Sequence, residues 1–317
     1  MTAAGCKICG GPTRLLYAGT GGPPTPDELA PTNHDPGVYG DLWICERCGT
    51  VAQPALPAGD ALHDLYRDMR DERYLDEEDG RRRTARRLLG QIEQQVPGGR
   101  LLDAGCGPGI LLDEARQRGW ATVGLDLSRS SAAHARDRLG LDVREVPLEA
   151  FDGDSGFDAI VLADVIEHFD DPRGALSRCL ELLRPGGVLL TASPDPASRM
   201  ARLAGGRWWG YLRAHAYLLP RSTLGRVLHE TGFEVVGRRP LVRTFSAGYW
   251  FSGAAGRGGA AGALAAAVGR LVPDRLPLSL TLGDEYVVLA RRPESLRAPS
   301  TTPAAASSTS QGSRGAL

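Results

Sequence analysis

The sequence predicts an α/β fold: a largely parallel sheet covered by helices on both faces, preceded by a small cysteine-rich module. Three observations predict it. Short apolar runs of strand length alternate with helical patterns through the middle of the chain. A glycine-rich turn, Gly105-x-Gly107-x-Gly109, follows the first of those runs. Near the N-terminus stand two C-x-x-C pairs, Cys6/Cys9 and Cys45/Cys48, each followed by a glycine, Gly10 or Gly49.

The cysteine pairs come first in the chain. Glycine after each pair tolerates the positive φ of a tight turn that aims backbone N–H groups at thiolates. Four thiolates complete a closed tetrahedral shell with no open position for a substrate, so a structural Zn2+ held by Cys6, Cys9, Cys45 and Cys48 is expected. A redox dithiol is the alternative, but it needs only one pair and usually opens a helix of a βαβ unit. The module is assigned to residues 1–58, with VYGDLWIC entering the second pair as a hairpin arm.

Residues 59–97 read as a helical linker, with Leu62, Leu65, Tyr66 and Met69 and then Leu88, Leu89, Ile92 and Val96 at helical spacing. Its basic run RRRTARR is offset by DERYLDEED just before it and reads as a solvated helix face. The main domain is assigned to 98–292. RLLDAG, ATVGLDL, LDVREV, FDAIVLAD and GVLLTAS are its first five strands, GFEVVGRR and DEYVVLARR its last two. An acceptor-pocket insertion is placed at about 196–280, and the Ser/Thr/Ala/Pro-rich residues 293–317 read as a disordered tail.

In 317 residues, 37 basic side chains face 38 acidic ones, for a formal net charge of -1. This balance argues against a polyanionic partner, and so against nucleic acid. No secretory signal and no apolar run of membrane-spanning length is visible. The expected compartment is therefore a reducing cytoplasm, where the cysteines are ligands or buried thiols rather than disulfides.

The glycine turn alone does not choose between cofactors, since dinucleotide enzymes use G-x-G-x-x-G at the same place. Here position 110 is Ile, and Asp103 stands two residues before the first glycine. With Asp126 in GLDLS, FDAIVLADVIEHFDDP and LLRPGGVLLTASP in that order, the chain resembles the class I S-adenosylmethionine-dependent methyltransferases from about Ala85 to Arg239. The resemblance implies a Rossmann-like class I methyltransferase sheet. It also implies a methionine-binding turn from Gly105 through Cys106 and Gly107 to Gly109, ordered by Asp103, and a ribose-binding Asp126 beside Leu127. Ala163 and Asp164 would line the methionine side. Many relatives carry an acid after the third strand that receives the adenine amino group; the corresponding stretch here is VREVPLEAF, where Leu148 is expected to pack on the base and a backbone group or Glu149 to substitute for the acid.

The layout is similar to a bacterial small-molecule subfamily with two C-x-x-C-G pairs, which includes sugar C-methyltransferases. That implies a sugar, polyketide or other small metabolite as acceptor, methylated on carbon or oxygen, with Tyr66 and Tyr74 as linker residues within reach of the cofactor. A ribosomal RNA base methyltransferase with a zinc module and a non-catalytic cofactor-binding protein are the competing readings. Methyl transfer is an in-line displacement that needs a base only when the acceptor keeps its proton. His215 and Tyr217, in WWGYLRAHAYLLP, and His168, in the EHF turn, are the candidate catalytic residues. Gly253–Pro273 reads as a flexible approach to a helix at about 262–271, a candidate lid over the acceptor.

Overall fold

The computed structural model describes residues 5–32, 37–256 and 259–294. The expected tail lies outside the described residues from 295 on. In the module, β1 (Thr13–Tyr17), β2 (Leu42–Cys45) and β3 (Val51–Ala52) form an antiparallel ladder. Two linker helices follow, α1 (Asp60–Asp68) and α2 (Glu78–Glu93). The sheet region then runs β4 (Arg100–Ala104), α3 (Ile110–Gln117), β5 (Ala121–Leu125), α4 (Arg129–Leu139), β6 (Val143–Arg144), β7 (Phe157–Ala163), α5 (Pro172–Leu182) and β8 (Leu183–Pro194). After it come α6 (Arg199–Ala204), β9 (Tyr217–Leu218), α7 (Arg221–Thr231), β10 (Glu234–Pro240), β11 (Arg243–Ser246), α8 (Ala247–Ala255), α9 (Gly259–Gly269), β12 (Pro277–Leu280) and β13 (Glu285–Arg291).

The large sheet has the order β10-β13-β8-β7-β4-β5-β6. The five strands from β4 to β8 pair in parallel, while β13 runs antiparallel to both β8 and β10. Alternate residues of each strand enter different cores, as a strand covered on both faces requires. Leu101, Val161 and Leu190 pack with Leu89 and Ile92 of α2 and Leu112 of α3. Leu102, Ile160 and Leu189 pack with Leu176 and Cys179 of α5 and Leu224 of α7. Cys179 is thus core, as its apolar helix face suggests.

Two expectations change. The basic run on α2 is not simply a solvated face: Arg82 Nη1 bonds Asp113 Oδ2 at 2.8 Å and Glu114 Oε1 at 3.1 Å, and Arg86 makes a two-toothed pair with Glu114. The acids are buried on α3, so these cations fasten α2 to the sheet's helical cover. The helix expected at 262–271 begins earlier, at Gly259, within the glycine-rich stretch, and packs as a hairpin on α8.

A second sheet joins the module to the main domain. β9 adds to β3, pairing Leu218 with Val51 and Tyr217 with Ala52, so the ladder reads β1-β2-β3-β9.

Candidate active site and metal centre

From β4 the chain winds outward to β5 and β6, then returns to place β7 and β8 on the other side of β4. The crevice at the C-terminal ends of β4 and β7 is therefore the switch point where open α/β sheets bind ligands. Gly105, Gly107 and Gly109 occupy it with φ of 75°, 55° and 86°. A Cβ on Gly105 would also lie 2.5 Å from Val165 Cγ2. The turn is pinned to β5 by Gly105 N–H and Cys106 N–H, which donate to Leu125 O at 2.7 and 3.0 Å. Gly109 then opens α3 as its N-cap.

Asp126, at the end of β5, accepts Gly107 N–H at 2.7 Å through Oδ2 and Ser128 N–H at 2.8 Å through Oδ1. Each oxygen keeps a lone pair for a further donor. Burial pushes the Asp126 carboxyl up to about 6, with the backbone donors of Ser128 and Gly107 pulling the other way. Asp103 is 3% exposed, and burial, reinforced by the Asp126 charge, pushes it up to about 7. Cys106 is buried beside them, and Leu127 is half-buried next to Asp126.

Ala163 and Asp164 face this turn from the end of β7, and the same crevice is bordered by Tyr74, Arg81, Arg243 and Phe245. Asp164 has φ 59°, the one positive value outside glycine among the described residues. Its carboxylate accepts Arg243 Nη2–H at 2.6 Å, and Arg243 Nε–H donates to Glu285 at 2.8 and 3.0 Å. Tyr74 lies above Gly107, with the Arg81 guanidinium 3.6 Å from its ring centroid. Of the two linker tyrosines, Tyr74 borders this crevice, while the Tyr66 hydroxyl lies 2.8 Å from His168 Nδ1. Leu148 instead sits in the core on a short turn, Leu148–Ala150, 3% exposed.

A second cluster borders the first. Glu167, His168 and His215 bring one ligand-type atom each within 4.8 Å of one another. His168 Nδ1 is 2.9 Å from Ala214 O and 2.8 Å from the Tyr66 hydroxyl. A carbonyl can only accept, so Nδ1 carries the proton and, in the neutral ring, Nε2 is the acceptor. Burial lowers the His168 pKa and so favours that neutral ring. His215 follows the same rule through Gly210 O, 2.7 Å from its Nδ1, while its Nε2 lies 4.0 Å from Glu167 Oε1. Glu167 is fully buried with neither carboxylate oxygen hydrogen-bonded among the described residues, and burial raises its pKa well above the usual range. After burial, the charges of Glu167 and Asp126 both raise the Tyr66 pKa, so this phenol links the two clusters electrostatically.

Tyr217 is not brought to this cluster. Its ring lies 6.0 Å from Lys7 Nζ, near Cys6 of the module. The reason is register: pairing with Ala52 turns it toward the module.

The four module cysteines converge. Cys6 Sγ lies 3.7 Å from Cys48 Sγ, Cys9 Sγ lies 3.5 Å from Cys45 Sγ, and all four sulfurs fall within 4.8 Å of one another. A tetrahedron with Zn–S bonds of about 2.3 Å has edges of about 3.8 Å, so the donor set fits that ion. The knuckles have the expected form: Gly10 N–H donates to Cys6 O at 2.7 Å, Gly49 N–H to Cys45 O at 2.9 Å, with φ of 70° and 72°.

Sequence reasoning missed Arg81, Arg243, Phe245 and Glu285. Arg81 lies in the basic run read as a solvated face, and Arg243, Phe245 and Glu285 come together beside α2 and β8 only because β11 and β13 fold back there. Glu167 was visible as the neighbour of His168, yet nothing in EHF announced its burial.

Residues 75–237 match the family model described as a methyltransferase domain. Similar curated proteins include the ubiquinone biosynthesis O-methyltransferase of Dinoroseobacter shibae, 30% identical over 45% of this chain and 63% of the relative. The protein of the same name from Rhodopseudomonas palustris is 36% identical over 31% of this chain and 41% of the relative. The chain thus spans between two fifths and two thirds of the length of these relatives. Among solved structures, a methyltransferase of Thermotoga maritima described as a possible histamine N-methyltransferase covers 70% of this chain and 93% of its own, at 19% identity and a TM-score of 0.48.

Proposed function

The chain belongs to the methyltransferase domain family, and from that membership we propose that it transfers a methyl group from S-adenosylmethionine to a small-molecule acceptor. The observation that carries the reading is the pairing of the Gly105–Gly109 turn with Asp126 at the switch point of the sheet. Asp126 receives the ribose hydroxyls, and the turn, Asp103 and the Ala163–Asp164 strand end hold the methionine part. When bound, the cofactor supplies an electrophilic methyl group on a positively charged sulfur.

The protein's part is orientation and one proton. The crevice and its bordering side chains would hold the acceptor in line with that methyl group, the arrangement on which most of the rate depends. His168 Nε2, unprotonated because Nδ1 faces Ala214 O and the Tyr66 hydroxyl, takes the proton of a hydroxyl or carbon acid, with His215 alongside it. The relatives named for ubiquinone biosynthesis support an oxygen acceptor; a sugar or polyketide acceptor is equally compatible with this pair of bases. A structural Zn2+ on Cys6, Cys9, Cys45 and Cys48 completes the proposal.

The test is transfer of radiolabelled methyl from the cofactor to an extract of the native host, fractionated into small molecules, RNA and protein. Label in small molecules supports the reading. Label in RNA alone, or tight cofactor binding with no transfer to any acceptor, overturns it.

A further inference from the structure

The stretch that carries His215 is gripped by a residue that no motif marks. Gln53 follows β3 directly and is 4% exposed. Its Nε2 donates to Leu212 O at 2.6 Å and to His215 O at 2.7 Å, using both amide hydrogens. Its Oε1 accepts Gly40 N–H at 2.8 Å, and its own backbone N–H donates to Ala216 O at 3.0 Å. On the opposite side, Ala216 N–H donates to Glu167 O at 2.8 Å. The His215 segment is thus held between the module and the turn that carries Glu167 and His168.

The grip leads back to the cysteines. Cys45 N–H donates to Thr50 O at 2.9 Å, and Cys48 Sγ lies 3.1 Å from Thr50 Oγ1. From Thr50 the chain passes through the two residues of β3 to Gln53. The ring of His215 is set by Gly210 O at 2.7 Å, and Gln53 holds the backbone of that same loop at 212 and 215. Arg213 of the same loop is also tied to the module, through Glu28 and through Nη2–H to Gly22 O at 2.9 Å, whereas Thr223 Oγ1, which donates to Cys48 O at 2.6 Å, does not touch the loop.

We propose that Gln53 is a positioning residue that fixes the His215 imidazole from the four-cysteine module, so that metal binding in the module sets the geometry of the acceptor side. This rests on the assignment of His215 to that side. An amide with both hydrogens committed to two carbonyls of one loop defines the shape of the loop. Its loss removes the side-chain donor from both carbonyls, while Leu212 O still accepts the His215 backbone N–H at 3.2 Å.

The test uses full-length protein labelled with 15N-histidine and loaded with Zn2+, comparing wild type, Gln53→Met and Thr223→Val. Gln53 borders a cavity of about 290 Å3, which leaves room for the unbranched Met side chain. Three quantities are read: zinc per chain, S-adenosylhomocysteine affinity by calorimetry, and solvent exchange of the His215 Nδ1 proton by NMR. Gln53→Met is expected to keep its zinc and to bind S-adenosylhomocysteine within about twofold of wild type, but to exchange the His215 proton about tenfold faster, as one lost buried hydrogen bond or more implies. Thr223→Val should leave that proton unchanged. Titrating Zn2+ into metal-free wild type gives a check that does not depend on how the variants fold: the His215 resonance should move with the metal while His229, outside the loop, stays. An unchanged His215 signal in Gln53→Met, equal disturbance by Thr223→Val, or a His215 resonance indifferent to Zn2+ overturns the proposal. None of these readouts uses methyl transfer, so failure of the enzymatic reading would appear separately.

Discussion

The carboxylate of Asp126 accepts the Gly107 backbone N–H at 2.7 Å, tying the acid at the end of β5 to the turn that follows β4. One side chain thereby orders the loop and presents a lone pair to a ligand. Asp126→Ala should weaken S-adenosylhomocysteine binding about hundredfold, because hydrogen bonds to a charged acceptor contribute about 1.5–3 kcal/mol each. Calorimetry on the purified protein reads this directly; a loss below about threefold would remove Asp126 from the cofactor site.

The three candidate bases separate by position. His168→Ala and His215→Ala should each lower methyl-transfer kcat by about 10²–10⁴-fold while leaving S-adenosylhomocysteine affinity within about twofold. Tyr217→Phe, at a ring that faces Lys7 and Cys6, should leave kcat nearly unchanged. Because burial lowers the His168 pKa, the active neutral form persists to lower pH, and the acidic limb of kcat should fall below the ordinary value of 6.5. An acidic limb above that value would point to another base.

Asp103 shapes the pH dependence of stability. Its pKa rises from 3.8 to about 7 on burial, so between those values the folded protein binds more protons than the unfolded chain. Its contribution is fully present below pH 3.8 and is lost as pH rises through about 7, up to about 4 kcal/mol in all. Urea unfolding of ligand-free protein between pH 4.5 and 7.5 should show stability falling with pH, and Asp103→Asn should flatten that fall. Parallel pH profiles for the two proteins would contradict the assignment.

Zinc analysis should return one ion per chain. Cys9→Ser, which removes one of four thiolates, should cut metal retention in the presence of a chelator at least tenfold, as loss of one ligand from a closed shell implies. The variant should also lower Tm. Retention equal to wild type would mean that the four sulfurs do not act as one site.

Gly80 lets α2 approach β11. A Cβ there would come within 2.3 Å of Thr244 O, a backbone atom that cannot rotate away. Gly80→Ala should destabilise the protein by about 1–3 kcal/mol in denaturant unfolding despite its higher helix propensity. A gain in stability would show that β11 shifts freely.

The parts of the site that the sequence made legible are those built from contiguous chain. The Gly105–Gly109 turn, Asp103 just before it and the two cysteine knuckles carry their geometry in local spacing, because strand, turn and helix there are covalently consecutive. Arg243, Glu285 and Asp164 were not legible as a unit, since they meet only when β11 and β13 fold back across β8. The direction of Tyr217 was hidden for a related reason. In a strand, register decides which face a side chain takes, and that register is set by Ala52, a residue far away in the sequence.

The addition of β9 to β3 also bears on how the chain is made. During synthesis Val51 leaves the ribosome long before Leu218, so the module's open edge waits without its partner while the central sheet is translated. Pairing across such a long separation carries a loop-closure cost and is slow. An N-terminal fragment ending before β9 would leave that edge open to other strands, and nascent chains would aggregate most readily in that interval.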